Sequence, residues 1–107
     1  MPSDLTIAVA QRADATVIDI GGELDMSTCG QLRDAIQSHI GAATGIVLDL
    51  AAVSFVDSSA IRVMIEARAA ALAAGGSLTI RNPSAPVHRV LTVAGVLDLF
   101  TDPDATT

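Results

Sequence analysis

The chain has 107 residues, of which 50% are hydrophobic and only two are aromatic, and its formal net charge is -6. This length leaves room for one domain, and a core built from Val, Ile, Leu and Ala favours helices packed closely on a sheet. The six basic residues, all arginines, are scattered without a cluster. Because a nucleic-acid-binding protein needs a basic face, we expect no nucleic-acid partner.

Membrane insertion, secretion and metal binding also find no support in the sequence. Charged residues interrupt every apolar stretch before it reaches the roughly 18 residues that would span a bilayer. Residues 1–4 have neither the positive charge nor the apolar run of a signal peptide, so we expect a cytoplasmic protein. A single cysteine, Cys29, excludes an internal disulfide, and His39 and His88 match no zinc spacing. We therefore expect no metal site and no cofactor.

Two short apolar segments near the N-terminus have the pattern of β-strands. Residues 5–9 alternate between apolar and polar positions, and residues 16–20 form a second strand that Gly21-Gly22 is expected to end. The polar turn at residues 11–14 is short, and a connection of this length predicts an antiparallel hairpin.

A helix and a buried strand follow the hairpin. Ser27 or Thr28 is the expected N-cap of the helix, Cys29 is expected on its inner face, and Gly41 marks its end. Residues 45–50 are an apolar run that predicts a buried strand. A helix thus connects the strand at residues 16–20 to the strand at residues 45–50. Two strands joined in this way are expected to be parallel, with a right-handed connection.

Helices and strands continue to alternate in the second half of the chain. Residues 58–74 contain no Gly or Pro and predict a second helix, which Gly75-Gly76 ends before a third parallel strand at residues 77–80. The residues expected on the inward side of this helix are Ile61, Met64, Ile65, Arg68 and Leu72.

A third helix is predicted from an N-cap at Ser84, with Pro86 in its first turn, to a stop at Gly95. Residues 96–100 then form either a last short strand or a docking segment. These elements together predict an α/β fold whose sheet is mixed, mostly parallel and four- or five-stranded, with an antiparallel N-terminal strand.

We expect a single domain over residues 1–107. Its core would occupy about residues 5–100, and residues 101–107 would form a loose acidic tail.

Residues 55–60 stand where a buried strand becomes a helix. Asp57 or Ser58 can cap the helix there, because the first backbone N–H groups lack intrahelical acceptors and carry a partial positive charge. The same partial charge would tolerate an added phosphate, so this stretch predicts a phosphorylation switch.

Functional groups in such a sheet gather at the carboxyl ends of the parallel strands. Two loops there should be neighbours, and they carry Asp25, Ser27, Thr28, Asp57, Ser58 and Ser59. A serine nucleophile would need a base, yet neither histidine is predicted at this edge and the chain has no lysine, so we expect no catalytic residues. The glycine pairs lack the spacing of a nucleotide-binding loop. A phosphorylation switch would therefore need a kinase partner.

Six segments in this order resemble the STAS domain of bacterial anti-sigma factor antagonists. They are Gly22-Glu23-Leu24-Asp25, Val47-Leu48-Asp49-Leu50, residues 53–59, Gly75-Gly76-Ser77-Leu78, Asn82-Pro83-Ser84, and Val90-Leu91 with Gly95. The resemblance implies a STAS-like fold and a non-enzymatic protein. In its unphosphorylated form such a protein binds an anti-sigma factor that is also a serine kinase, which frees a sigma factor. Phosphorylation breaks that complex, and a phosphatase resets it.

The resemblance also implies the roles of individual residues. Ser58 matches the phosphoacceptor, with Ser59 as second choice, and the predicted partner-binding residues are Asp25, Ser27, Thr28, Asp57, Ser59 and Arg62. Helix capping alone is the simpler explanation of Asp57 and Ser58, and a local backbone contact that of Ser59.

The chain departs from the family at Ala60-Ile61-Arg62, where Gly-Leu-Gly is usual. Arg62 follows Ser58 by four residues and lies on the same helix face, so it could pair with a phosphate on Ser58 or with acidic groups of the partner. A solvated arginine paired with Glu66 is the alternative. At the level of the whole protein, the alternative is a STAS module that docks without phosphorylation or senses a nucleotide or small apolar ligand.

Overall fold

A four-stranded sheet in the order β1-β2-β3-β4 organises the protein in a computed structural model that describes residues 5–12, 15–41 and 44–101. The strands are β1 (Thr6–Gln11), β2 (Ala15–Leu24), β3 (Gly45–Val56) and β4 (Ser77–Arg81). β1 pairs with β2 in antiparallel orientation, whereas β2, β3 and β4 are parallel to one another. The predicted mixed, mostly parallel sheet is confirmed.

Three α-helices accompany the sheet: α1 (Cys29–Gln37), α2 (Ser58–Ala73) and α3 (Ala85–Ala94). α1 and α2 each connect two successive parallel strands. The two helices pack against each other, and α2 also packs against β4. Right-handed crossovers between adjacent parallel strands place both helices on the same face of the sheet. α3 packs on β3, and no helix in the described part of the chain is long and apolar enough to cross a membrane.

The core lies between the sheet and the helices. Because side chains alternate along a strand, one set of positions in β2 and β3 faces this core. The buried apolar side chains of these strands and of the helices include Ile18, Ile20, Ile46, Leu48, Leu50, Leu32, Ile36, Met64, Val87 and Leu91. They form one contiguous cluster, as expected for a domain of this size.

The buried face of α2 differs from the predicted one. Ile61 and Met64 are buried as expected, but Leu72 is exposed and Ile65 is only partly buried. The helix instead buries a row that includes Ala60, Val63, Ala67 and Ala71. The small alanine side chains let α2 approach the sheet and α1 closely. Ile65 and Leu72 lie beside this row and are therefore less buried than predicted.

β2 does not end at Gly21-Gly22 as predicted, but continues to Leu24. The strand accommodates the glycines through shifts of register against β3 between Asp19 and Gly21 and between Gly22 and Glu23. Gly22 has a φ of 101°, a conformation that few other residues adopt. A glycine pair can thus mark a bulge inside a strand as well as its end.

One further boundary differs from prediction, and one alternative left open by the sequence is decided. α1 ends at Gln37, well before Gly41, and the residues that follow it form turns. The segment after α3 is a 3-10 helix (Leu97–Leu99) and not a strand, and the carbonyl of Phe100 accepts a hydrogen bond of 2.9 Å from the N–H of Ile80. It is therefore a docking segment against β4.

Some sequence expectations lie outside the described residues. These are the end of the first turn (13–14), residues 1–4, and the predicted tail beyond Thr101. The N-cap of α3 at Ser84 and its stop at Gly95, in contrast, are both present as predicted.

Candidate functional site

The loops after β2 and β3 lie next to each other. Leu24 and Val56 are paired at the ends of the two strands, and the N–H of Asp57 donates a 3.1 Å hydrogen bond to the carbonyl of Leu24. This bond joins the loop that holds Asp25 to the loop that holds Ser58. The parallel register therefore brings the two predicted loops together.

Asp57 is the N-cap of α2. Its Oδ1 accepts hydrogen bonds from the N–H groups of Ser59, at 2.9 Å, and Ala60, at 3.2 Å. These two donors would otherwise lack partners at the start of the helix. Of the two residues that could cap, Asp57 does so, which leaves the Ser58 side chain without this structural task.

Ser58 is the first residue of α2 and is exposed, whereas Ser59 is partly buried. Among the described residues, the Ser58 hydroxyl forms no hydrogen bond. An exposed hydroxyl with no internal partner can be reached by another protein without breaking a contact of the fold. Ser58 is thus the more accessible of the two candidate phosphoacceptors.

Asp25 organises the other loop. Its Oδ1 accepts hydrogen bonds from the hydroxyl of Ser27 at 2.6 Å, from the N–H of Ser27 at 2.9 Å and from the N–H of Thr28 at 3.1 Å. The Ser27 hydroxyl is the main cause that holds the pKa of Asp25 below its ordinary value, with the two N–H donors acting in the same direction. Asp25 is therefore a carboxylate at neutral pH.

Thr28 has a structural position in this loop. Its side chain is fully buried, and its Oγ1 donates to the carbonyl of Glu23 at 2.8 Å and accepts from the N–H of Asp25 at 2.9 Å. Thr28 occupies the N-cap position of α1 as expected, but its side chain makes no capping hydrogen bond. It can shape the loop, while Asp25 and Ser27 present the loop's surface.

A cavity of about 270 Å³ joins the two loops. Its lining residues are Met26, Cys29, Arg33, Ser58, Ser59, Arg62 and Val63. Arg62 thus lies on the side of Ser58, as its spacing predicted. Cys29 also lines this cavity; it is only partly buried but packs against the apolar core, so the predicted inner face of α1 holds for it in part.

Glu66 pairs with Arg33 and not with Arg62, the partner considered as an alternative from the sequence. The Nη2 of Arg33 lies 3.7 Å from the Oε1 of Glu66, and within the described ranges Arg62 forms no ion pair. The alternative of an Arg62–Glu66 pair is therefore not formed, because α1 brings Arg33 across to Glu66. Arg62 is exposed and lines the same cavity as Ser58.

Sequence reasoning missed three residues of this surface. Met26 is 77% exposed and Phe55 is 47% exposed, although both are large and apolar. The signal for Met26 was an apolar residue between polar ones in a short loop. Arg33 follows Cys29 by four residues on α1, so it shares a helix face with Cys29 and could have been placed with it.

The two loops together form a surface of mixed chemistry. It combines an exposed hydroxyl, two carboxylates, two arginines and apolar side chains. Across residues 5–12, 15–41 and 44–101, no cluster of three His, Cys, Asp or Glu residues could hold a metal ion.

Comparisons with known proteins agree with this arrangement. RsfB, an anti-sigma-F factor antagonist of Mycobacterium tuberculosis, is 34% identical over 64 residues, which are 59% of this chain and only 52%, about half, of that relative. The unphosphorylated anti-sigma factor antagonist SpoIIAA superposes with a TM-score of 0.75 at 28% identity over 91% of this chain and 87% of that one. For the phosphorylated form of Bacillus SpoIIAA the TM-score is 0.69 at 25% identity, over 94% and 96% of the chains.

A family model described as "Mlab, STAS domain" matches residues 7–101, which span the sheet from β1 to β4 and all three helices. With this match over most of its length, and with a mixed sheet that superposes on anti-sigma factor antagonists, the chain belongs to the STAS domain family.

Proposed function

We propose that this protein is an anti-sigma factor antagonist that is switched by phosphorylation of Ser58. In the unphosphorylated form it binds an anti-sigma factor with serine kinase activity, and a sigma factor is thereby released. Phosphate on Ser58 ends this binding, and a phosphatase restores it. The observation that carries the proposal is the exposed Ser58 hydroxyl beside the capping Asp57, in a chain similar to antagonists that include a phosphorylated form.

The surface around Ser58 has the composition of a docking site. Met26 lines the same cavity as Ser58, and Phe55 lies three residues before Ser58 at the end of β3. Large apolar side chains exposed to water are favoured in the buried centre of protein interfaces, with polar groups at the rim. Asp25, Ser27, Asp57, Ser59 and Arg62 would supply the polar part, while Thr28 would hold the loop in shape.

Charge explains why a phosphate would weaken this docking. Phosphorylation adds about -1.5 to -2 charges. The new group would stand beside the Asp57 carboxylate and near Asp25, whose lowered pKa keeps it ionised. Burying the phosphate in an interface would add like-charge repulsion and a desolvation cost, which together amount to several kcal/mol in comparable interfaces.

The proposed role is that of a substrate and not of an enzyme. The site offers no base to activate Ser58, since Asp57 is engaged in capping and neither His39 nor His88 lines the cavity. The ATP and the catalytic groups would come from the kinase partner. The effect on transcription would be indirect, without contact to nucleic acid or membrane, as for a cytoplasmic regulator.

The test is a phosphorylation assay with the cognate kinase-like partner, recovered by affinity capture from the native cells. Incubation with ATP should add the mass of one phosphate to the wild-type chain and none to Ser58→Ala. Ser59→Ala is the matched control and should still be modified.

Two outcomes would count against the proposal. Modification of Ser58→Ala at the wild-type level would move the acceptor to another residue. Stable capture of the partner without phosphate transfer would identify the alternative, a STAS module that docks without this switch.

A further inference from the structure

Two arginines on different helices line the cavity that Ser58 lines. Arg62 belongs to α2 and follows Ser58 by one helical turn, and Arg33 belongs to α1, which packs against α2. Within the described residues, Arg62 makes no ion pair. Two arginines that line one cavity with a hydroxyl can together recognise a phosphate attached to it, because each guanidinium group can donate paired hydrogen bonds to phosphate oxygens.

Arg33 is held only weakly in its present position. Its contact with Glu66 is 3.7 Å long, and the two side chains are 45% and 59% exposed. An exposed ion pair of this kind contributes little to stability, between about 0 and 1 kcal/mol. Arg33 can therefore leave Glu66 for a stronger acceptor at small cost.

We propose that Arg33 and Arg62 together bind the phosphate group on Ser58, and that Arg33 leaves Glu66 to do so. The inference rests on the proposed phosphorylation of Ser58 and names the groups that receive it. A phosphate offers three strong acceptor oxygens and more negative charge than the Glu66 carboxylate. The exchange therefore replaces a weak pair by charge-assisted hydrogen bonds.

The charged groups around Ser58 determine how readily a phosphate attached there loses its second proton. Asp57 and Asp25 are the acidic groups of the two adjoining loops, and Glu66 lies two turns further along α2. Arg33 and Arg62 are the basic groups that line the cavity. The carboxylates favour the singly ionised phosphate, whereas the arginines favour the doubly ionised one.

This binding would change how the switch works. Both arginines would be engaged within the protein in the phosphorylated form, so neither could contact acidic groups of a partner. The phosphate would also link α1 to α2. Phosphorylation would thus remove two cations from the docking surface in addition to placing an anion there.

The experiment uses the full chain with phosphoserine installed at residue 58 during synthesis, so that no kinase is needed. The second ionisation of the phosphate is followed by phosphorus NMR as the pH is raised, and its midpoint for an unpaired phosphoserine is about 6. We expect a lower midpoint in the wild-type chain and a rise of about half a unit or more in each of Arg33→Ala and Arg62→Ala.

Arg12→Ala is the matched control. Arg12 follows β1 and hydrogen-bonds to Ala15 at the opposite end of β2, about 30 Å from the loop at Leu24 by the rise of a strand. That distance exceeds the Debye length of about 10 Å at moderate salt, so this variant should titrate like the wild type. Arg33→Lys, which keeps the charge but not the fork of donors, should recover part of the shift.

A wild-type midpoint that neither arginine variant raises would overturn the proposal. So would a rise in Arg62→Ala alone, because Arg33 would then have no part in binding. The result is separable from the proposed function: if the kinase assay fails while the titration behaves as expected, the arginine site stands and the natural switch does not.

Discussion

Two neighbouring residues at the start of α2 differ in their structural role. Asp57 uses its carboxylate to hold the N–H groups of Ser59 and Ala60, while the Ser58 hydroxyl faces solvent. Stability and modification should therefore be separable by single substitutions at these two positions.

Asp57→Ala should lower the free energy of unfolding by about 1 kcal/mol, the usual cost of a lost N-cap. Ser58→Ala should change it by less than about 0.5 kcal/mol, because the hydroxyl makes no described contact. Urea denaturation of both variants and the wild type measures the difference. Equal losses of stability in the two variants would show that capping is not confined to Asp57.

A second carboxylate, Asp49, should make stability depend on pH. Burial acts to raise the pKa of Asp49, but hydrogen bonds from Arg81, from the N–H of Ala51 and from Asn82 outweigh it, and the pKa lies below its ordinary value of 3.8. A lowered folded-state pKa means that the carboxylate stabilises the fold above its unfolded-state pKa, and that this contribution is lost as the pH falls through the folded-state value.

Asp49→Asn should therefore cost on the order of 1 kcal/mol near neutral pH, a modest figure because Arg81 is half-exposed. The cost should shrink as the pH is lowered below 3.8. Unfolding curves at neutral and strongly acid pH check the trend. A cost that stays constant over this range would contradict the assigned role of the carboxylate.

The sequence predicted individual residues of the site unevenly. Ser58, Asp57 and Asp25 follow from their places after apolar strands and from the family resemblance. Arg33 could be assigned to the helix face of Cys29 and Met26 to the loop before α1, but their approach to Ser58 could not be predicted, because it depends on how α1 rotates against α2. That rotation is set by tertiary packing, which leaves no mark on the local sequence.

At the scale of elements, the junction between α2 and β4 depends on a close backbone approach. A Cβ at Gly76 would fall 2.8 Å from the carbonyl oxygen of Gly41 and closer still to that of Thr44. Backbone atoms cannot move aside as the end of a side chain can. This contact lies in the turn that leads into β4, a strand at the edge of the sheet.

Gly76→Ala should destabilise the protein by about 1–3 kcal/mol, the range for overpacked positions. Gly30→Ala is the matched control, since an added Cβ there would meet nothing within 4 Å and would favour α1 by up to about 1 kcal/mol. Thermal unfolding of the two variants should shift in opposite directions. Shifts of the same sign would show that the close approach at Gly76 has been overstated.

The alternation of strands and helices was predictable because several changes of period coincide with a cap or a glycine, as at Ser84 and Gly95. The continuation of β2 to Leu24 was not predictable. It depends on pairing with β3 across a bulge, and Gly21-Gly22 by itself is more typical of a strand end. The 3-10 helix depends likewise on docking against β4 and not on local propensity.

At the scale of the whole molecule, the last described segment closes the core. Phe100 is fully buried in the main apolar cluster, and its carbonyl accepts a hydrogen bond from β4. One aromatic residue near the C-terminal end thus covers apolar surface contributed by the rest of the chain.

Phe100→Ala should cost about 3–5 kcal/mol, a large share of the total stability of about 5–15 kcal/mol that is typical of a small domain. Val93→Ala is the control, because Val93 is 83% exposed and should change stability little. Chemical denaturation distinguishes the two. A small loss in Phe100→Ala would mean that the segment is not needed to close the core.

The whole surface at Ser58 is proposed to be a docking site that a phosphate turns off. The most direct measurement compares the affinity of the captured anti-sigma partner for the chain with serine and with phosphoserine at residue 58. We predict that the modified chain binds at least about tenfold more weakly, which corresponds to roughly 1.4 kcal/mol. Equal affinity of the two forms would contradict the account.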